Sequence, residues 1–83
     1  MSKTAVITGA NRGIGLSFCR LYKARGYRVY AACRTPSQAL SSLGVDVIDN
    51  VDVSEQQGVE RLASALDGVT IDLLINNAGI HSQ

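Results

Sequence analysis

The sequence predicts an α/β fold, in which helices cover a parallel sheet. Short apolar segments rich in β-branched residues alternate with segments of helical periodicity along the whole chain. The connections between these segments are short, and no repeat, linker or low-complexity stretch interrupts them. Parallel strands joined through helices make right-handed crossovers, and the order expected for a doubly wound sheet of this kind is 3-2-1-4. In such open sheets, ligands bind at the carboxyl ends of the strands.

The first strand and helix are predicted on either side of a glycine-rich loop. The apolar run from Lys3 to Thr8 has the β-branched composition of a strand and ends at Gly9. After the loop, apolar residues recur at the spacing of one helical face, at Ile14, Phe18, Leu21 and Tyr22. Gly26 suits the C′ position of this helix, where a residue without Cβ adopts a left-handed conformation at little cost.

A second strand, a short helix and a third strand are predicted next. The segment from Tyr27 to Cys33 is rich in aromatic and small apolar residues, as strands are. The following helix has Thr35 as its predicted N-cap, Pro36 at the first helical position and Gly44 at C′. The run from Val45 to Asp49 then predicts the third strand.

The last predicted helix and strand complete the alternation. Ser54 and Gln57 have the spacing of a capping box. The apolar face of the helix is predicted at Val59, Leu62, Ala63 and Leu66, and the helix ends near Asp67 and Gly68. The unbroken apolar run Ile71 to Asn76 is typical of a strand buried on both faces. In the order 3-2-1-4 this strand lies at an edge, so we expect a second chain or a further part of the fold to cover it.

Composition excludes several classes of protein. The 83 residues suffice for one small domain, and 46% hydrophobic with 18% charged residues argues against intrinsic disorder. A net charge of +1 gives no basis for binding nucleic acid or an anionic membrane. No apolar run approaches the roughly 20 residues of a membrane span, and no signal peptide is recognisable, which predicts a cytoplasmic protein. Cys19 and Cys33 lack metal-type spacing and are interpreted as small buried hydrophobic residues.

The glycine loop, with the sequence TGANRGIG, is typical of a phosphate-binding turn. Gly9 permits a sharp exit from the strand, Gly13 allows a phosphate to approach the backbone, and Gly15 allows the helix to pack closely on the sheet. The spacing is one residue longer than GxGxxG, and no Gly-Lys-Ser/Thr follows, which excludes a Walker A loop. The alternative is a turn that needs glycine only for its own geometry.

Three motifs together resemble the short-chain dehydrogenase/reductase family. They are the glycine loop, Asp52-Val53 after the third strand, and the sequence NNAG from Asn76 to Gly79 after the fourth. The sequence resembles the classical, NADP-preferring members of the family. The residues GANRGIG…ARGYRV…CR are also similar to those of the sniffer-type carbonyl reductase subgroup. The resemblance covers the whole chain but only the amino-terminal, cofactor-binding half of the family. It implies that residues 1–83 form part of a Rossmann domain, with the catalytic half absent.

The resemblance and the charges near the second strand favour NADP(H) over NAD(H). NAD-preferring sites place an acidic residue at the end of this strand, whereas this sequence has Arg34. A guanidinium binds a 2′-phosphate bidentately, and Arg12 in the glycine loop could reach the same phosphate. With no acidic residue expected to compete, both arginines are predicted to contact the cofactor. The alternative is that both are solvated surface charges.

The remaining site residues are implied by the resemblance. The Asp52 carboxylate would accept from the adenine amino group and the Val53 N–H would meet a ring nitrogen, although Asp52 also suits a turn before Ser54. Asn76 would join the central strands, and the three residues after it would line the adenosine ribose and the approach to nicotinamide. The predicted cofactor-binding residues are Gly9, Asn11, Arg12, Gly13, Ile14, Gly15, Arg34, Asp52, Val53, Asn77, Ala78 and Gly79.

No catalytic or metal-ligating residue is predicted. The family uses a tyrosine, a lysine four residues later and an upstream serine, yet Tyr22, Tyr27 and Tyr30 are followed at that spacing by Gly, Ala and Arg. His81 and Ser82 lie in a terminal tail that few neighbours could fix. The sequence thus predicts the cofactor-binding portion of an NADP(H)-dependent oxidoreductase for carbonyl or alcohol substrates, inactive alone. Alternatives are a non-enzymatic dinucleotide-binding or dimerising module, or a decayed gene product.

Overall fold

The structure, a computed structural model, describes residues 3–11 and 13–77. Strands and helices alternate there as β1 (Thr4–Thr8), α1 (Gly13–Ala24), β2 (Arg28–Ala32), α2 (Gln38–Ser41), β3 (Asp46–Ile48), α3 (Gln56–Ala65) and β4 (Leu73–Asn76). The paired strands are parallel and lie in the order β3-β2-β1-β4. The predicted α/β fold and its strand order are confirmed. The longest helix in these ranges has 12 residues, and none has the length and apolar character to cross a membrane.

Helices cover both faces of the central strands. Successive strand residues point to opposite faces of a sheet, so Ala31 and Ala32 face opposite halves of the core. Ala31 packs with Cys19 of α1 and Leu40 of α2. Ala32 packs on the other face, where α3 contributes Leu62. The sheet is therefore wound in both directions from β1, and its core lies above and below β1 and β2.

The buried face of α1 differs from the predicted one. Ile14 and Leu21 are 67% and 41% exposed, whereas Gly15 and Cys19 are buried and Tyr22 is half-buried. The prediction was right for Phe18 and Tyr22, which pack on the core, and wrong for Ile14 and Leu21. The helix makes its closest approach along Gly15 and Cys19, because their small side chains let its backbone lie near the sheet.

The N-cap of α2 is Ser37 rather than the predicted Thr35. Ser37 has extended backbone dihedrals, and its Oγ accepts a hydrogen bond from Leu40 N at 3.2 Å. The helix consequently begins two residues later than predicted. Gly44 has the expected left-handed φ of +78°, but it lies two positions beyond the C-cap residue Ser42 and not at C′.

The predicted capping box of α3 is also wrong. The N-cap is Glu55, which makes no side-chain capping bond, and Ser54 lies before the helix. The Ser54 Oγ donates to Asp52 Oδ1 at 2.5 Å, so it is engaged in a turn instead of a cap. The helix face is likewise shifted, since Gly58 is buried while the predicted Val59 is 48% exposed. Ala63 is exposed, and the predicted Leu62 and Leu66 do pack on the core.

Strand β4 forms an edge of the sheet, as the order requires. It pairs with β1 through the register Ala5 to Leu73 and Val6 to Leu74. Burial on both faces was predicted for this strand, but Leu74 is 60% exposed. The reason is that α3 packs over Ala32 and Ile48 of β2 and β3 and leaves the corresponding face of β4 open. The expectation of an apolar edge is confirmed.

Candidate functional site

The glycine loop leaves the carboxyl end of β1 and leads into α1. Gly9 and Gly13 have φ of +61° and +60°, which residues with a Cβ rarely adopt. A Cβ built on Gly13 would meet nothing within 4 Å, so the backbone borders open space at this point. Free N–H groups of the first helical turn face the same end of the helix. The loop can therefore accept an anionic group close to its main chain.

Gly15 allows the start of α1 to lie directly against this loop. A Cβ on Gly15 would overlap the carbonyl oxygen of Gly9, and it would lie 2.8 Å from the Gly9 carbonyl carbon. It would also be 2.9 Å from Asn77 Nδ2. The three residues therefore pack at a separation that only glycine permits. This contact places the amino terminus of α1 at the ends of β1 and β4.

Two asparagines tie the end of β4 to the end of β1. The Thr8 Oγ1 donates to Asn76 Oδ1 at 2.8 Å, which agrees with the expected role of Asn76 in joining the strands. Asn77 Nδ2 donates to the Gly9 carbonyl oxygen at 3.1 Å. The predicted site residue Asn77 thus also fixes the glycine loop, a contact that the sequence analysis did not anticipate.

Asn11 connects the glycine loop to the segment after β2. Its side-chain Oδ1 accepts a hydrogen bond from the backbone N–H of Ser37, and its backbone oxygen accepts from the Ser37 Oγ at 2.9 Å. The sequence analysis missed Ser37. Locally, Ser37 is only a hydroxyl-bearing residue ahead of a short helix, and Thr35 has the same property. The partner of Ser37 lies 26 residues away, beyond any local pattern.

Arg34 follows β2 and presents its side chain to solvent. The side chain is 77% exposed, while its backbone oxygen accepts from Asn50 N at 3.0 Å. Arg34 Nη1 lies 3.9 Å from Asp52 Oδ2, so an acidic residue does stand beside the guanidinium. The expectation that no acid would compete was wrong, because the turn after β3 brings Asp52 next to Arg34.

Asp52 lies in a tight turn before α3. Its Oδ1 accepts from Ser54 N at 3.0 Å and from the Ser54 hydroxyl. These two hydrogen bonds lower the pKa of Asp52, desolvation opposes them, and the positive charge of Arg34 makes the smallest contribution, which also lowers the pKa. Asp52 is therefore a carboxylate at neutral pH with one oxygen committed to Ser54. The interpretation of Asp52 as a turn residue is confirmed. The other carboxylate oxygen of Asp52 faces Arg34.

Gly58 of α3 supports the same turn and was also missed by the sequence analysis. A Cβ on Gly58 would lie 2.5 Å from Asp52 N and 2.7 Å from Asp52 C. The helix can approach the turn only because this residue has no side chain. A glycine inside a helical pattern is the signal that could have identified it. Val53, beside Asp52, packs against the core cluster of Ala32, Ile48 and Val51.

The structure brings most of the predicted site residues to the carboxyl ends of the strands. Contacts link Asn77 to Gly9 and Gly15, Asn11 to the segment carrying Arg34, and Arg34 to Asp52. The Ile14 side chain is exposed beside the loop. The predicted residues Arg12, Ala78 and Gly79, and the tail residues His81 and Ser82, lie outside the described residues. The backbone at Gly13 borders open space, and the guanidinium of Arg34 is exposed to solvent.

The chain is similar to proteins of one family. The family model described as short chain dehydrogenase matches residues 3–83. The 1-hydroxy-2-glutathionyl-2-methyl-3-butene dehydrogenase of Rhodococcus sp. (strain AD45) is 38% identical over 79 residues, which cover 93% of this chain and 35% of that protein. This chain thus spans about a third of the length of the curated relatives it matches.

Two solved structures share the fold and differ in their bound cofactor. L-sorbose reductase from Gluconobacter frateurii, complexed with NADPH and L-sorbose, has a TM-score of 0.77 at 31% identity, covering 98% of this chain and 35% of that chain. The 4-hydroxyisoleucine dehydrogenase, complexed with NADH, has a TM-score of 0.80 at 26% identity, covering 93% of this chain and 34% of that one.

Proposed function

The chain belongs to the short-chain dehydrogenase family, and on that premise we propose that it is the cofactor-binding portion of an NADP(H)-dependent oxidoreductase for carbonyl or alcohol substrates. The observation that supports the cofactor choice is the exposed guanidinium of Arg34 at the end of β2. NADPH and NADH accompany different proteins of similar fold, so the fold alone does not select the cofactor. The two cofactors differ by the 2′-phosphate of NADP(H), and the residues that follow β2 are the ones expected to contact it.

The residues of this chain would hold the cofactor in separate parts. A bound nicotinamide dinucleotide supplies the hydride donor or acceptor for the reaction. Gly13 borders the open space where the pyrophosphate would lie beside the N–H groups of α1, while Gly9 and Gly15 give the loop its close packing. Asp52 and Val53 would contact adenine, and Asn77 the adenosine ribose. We also assign cofactor contacts to the remaining predicted residues, which are Asn11, Arg12, Ile14, Ala78 and Gly79.

The nearby Asp52 carboxylate does not prevent Arg34 from binding a phosphate. An exposed ion pair at 3.9 Å contributes little, since water screens both charges. A bidentate guanidinium–phosphate contact is shorter and contributes roughly 1.5–3 kcal/mol. The phosphate therefore outcompetes the carboxylate for Arg34. The hydrogen bonds from Ser54 hold Asp52 in its turn while the longer arginine side chain reorients.

We assign residues 1–83 to the binding step and not to proton transfer. None of the tyrosines precedes a lysine by four residues, so the pair that this family uses as acid and base is not in this sequence. The carbonyl would be polarised and protonated by groups supplied from outside these 83 residues. The isolated chain is expected to bind the dinucleotide without turning over a carbonyl substrate.

Binding measurements test the cofactor assignment. NADP and NAD are titrated into the wild-type chain, into Arg34→Asp, and into Arg25→Asp as a control with the same change in charge. Arg25 follows the last residue of α1, at the opposite end of that helix from the glycine loop. We expect wild type and Arg25→Asp to bind NADP about tenfold or more tightly than NAD, and Arg34→Asp to lose that preference. Equal affinities in wild type would contradict the assignment.

A second candidate function is a dinucleotide-binding module that pairs with another chain through β4. The observation that favours it is the edge position of β4 together with the 60% exposure of Leu74. In this alternative a second chain covers the segment Ile71 to Asn76, whereas in the first a further part of the same fold covers it. Self-association of the chain through β4 would favour this second function over the first.

A further inference from the structure

The segment that joins β2 to α2, here called the β2–α2 loop (residues 33–37), is held at both ends. At its start, Cys33 O and Arg34 O accept hydrogen bonds from Val51 N and Asn50 N, both at 3.0 Å. At its end, Ser37 bonds to Asn11 in the glycine loop. The Arg34 side chain between these anchors extends into solvent. The backbone under the guanidinium is therefore fixed even though the guanidinium itself is exposed.

Ser37 is the residue through which three segments meet. Its N–H donates to Asn11 Oδ1, its hydroxyl donates to Asn11 O at 2.9 Å, and the same hydroxyl oxygen accepts from Leu40 N at 3.2 Å. One hydroxyl group thereby uses both its donor and its acceptor capacity. It caps α2 and at the same time sets the separation between the β2–α2 loop and the glycine loop.

We propose that Ser37 is a specificity-determining positioning residue, which holds Arg34 at the distance from the glycine loop that lets one cofactor reach both. The proposal rests on the function proposed above. A dinucleotide with a 2′-phosphate carries two anionic parts whose separation is limited by the one ribose that joins them, and the pyrophosphate part would lie on the glycine loop. If the two loops moved independently, binding would have to order them, and that ordering would reduce affinity. Ser37 removes this cost in advance.

A purely structural role for Ser37 makes a different prediction. If the hydroxyl only capped α2, its loss would lower stability by about 0.5–2 kcal/mol and would weaken every nucleotide equally. If it positions Arg34, its loss weakens ligands with a 2′-phosphate more than those without one. The ratio of two affinities therefore separates the roles, whereas stability alone does not.

The experiment titrates 2′,5′-ADP and 5′-AMP into the full chain and compares their dissociation constants. The variants are Ser37→Ala, Ser37→Thr, which retains a hydroxyl, and the control Ser42→Ala. Ser42 lies at the other end of α2, where its hydroxyl donates only locally to Gln38 O at 2.8 Å. We expect Ser37→Ala to reduce the preference for 2′,5′-ADP about five- to tenfold, and the other two variants to keep the wild-type ratio within about twofold.

The outcomes distinguish this inference from the proposed function. A wild type without preference for 2′,5′-ADP overturns the NADP assignment and this inference with it. A wild type with a preference that Ser37→Ala retains overturns the inference alone. If Ser37→Ala does not fold, amide hydrogen exchange on wild type decides. The amides of Ser37 and Leu40 should gain more protection from saturating 2′,5′-ADP than from saturating 5′-AMP, and equal protection counts against the positioning role.

Discussion

At the scale of single residues, burial changes the acidity of the two cysteine thiols. Cys19 and Cys33 are free and buried, as predicted for small hydrophobic residues. Burial, with a smaller contribution from the neighbouring Cys33, raises the pKa of Cys19 to about 11. Burial also raises the pKa of Cys33, with an added contribution from the negative charge of Asp49. Both thiols are thus protonated, weak nucleophiles in the folded chain at neutral pH.

The raised pKa of Cys19 predicts a loss of stability in alkaline solution. The folded state holds this proton up to about pH 11, whereas the unfolded chain releases it near 9.0. The contribution to the free energy of unfolding is fully present below pH 9 and is lost as the pH rises through 11, by about 2–3 kcal/mol. Urea unfolding of wild type and Cys19→Ala at pH 7, 9 and 10.5 measures it. The variant should show the shallower decline, and parallel declines would refute the prediction.

At the scale of elements, α3 depends on a residue with no side chain. Gly58 is buried against the backbone of Asp52, although glycine inside a helix usually costs about 0.5–1 kcal/mol relative to alanine. The contact lets the helix support the turn that presents Asp52 and Val53. Gly58 therefore lowers the helix propensity of α3 but lets the helix approach the turn on the proposed adenine side of the site.

Replacement of Gly58 tests this contact. Gly58→Ala should lower the free energy of unfolding by about 1–3 kcal/mol, because the added Cβ forces the helix away from Asp52. It should also weaken 5′-AMP binding. Gln57→Ala is the matched control, since Gln57 is exposed, neighbours Gly58 on the helix and forms no capping box with Ser54. Its effect should stay within about 0.5 kcal/mol. A neutral or stabilising Gly58→Ala would show that the turn accommodates the methyl group.

Features that depend on local, repeated patterns were predictable from the sequence, and features that depend on close packing were not. Element order and strand order were predictable, because alternation and apolar content are local and are repeated over many residues. The helix faces were not, since Gly15 and Gly58 contribute no hydrophobic signal and yet mark the lines of closest approach. Periodicity therefore favoured the larger neighbours Ile14 and Val59, which are exposed.

The same rule explains the site. The glycine loop was recognisable because its chemistry lies within eight consecutive residues. Ser37 was not, because its partner Asn11 is distant in sequence and only the fold brings the two together. The contacts of Asp52 were not predictable either, since its proximity to Arg34 and its hydrogen bond from Ser54 depend on how the turn folds. Local motifs identified the parts of the site, and the tertiary structure determined their connections.

At the scale of the whole molecule, the sheet is covered unevenly. Its two core clusters lie on opposite faces of β2, where Ala31 and Ala32 are buried. Exposed apolar residues remain on β4 and just before it, with Leu74 at 60% and Ile71 at 41%. An edge strand also offers unpaired backbone groups to another chain. If the chain pairs with a second chain, as in the second candidate function, β4 is therefore the surface expected to make the contact.

A charge on β4 tests whether that edge drives association. Leu74→Lys should shift the chain toward the monomer, because a lysine on an edge strand opposes pairing with a second strand. Since Leu74 is largely exposed, the substitution should cost less than about 1 kcal/mol of stability. Leu21→Lys is the control, because Leu21 is also exposed, at 41%, but lies on α1 away from the edge.

Sedimentation velocity over a range of protein concentrations measures the effect. If two chains pair through β4, wild type and Leu21→Lys should associate as concentration rises, whereas Leu74→Lys should remain monomeric over the same range. Association that persists equally in Leu74→Lys would place the contact surface elsewhere. A wild type that stays monomeric would remove the support for pairing of two chains through β4. The remaining explanation for the apolar edge is then coverage by another part of the same fold, as expected if the chain provides only the binding portion of an oxidoreductase.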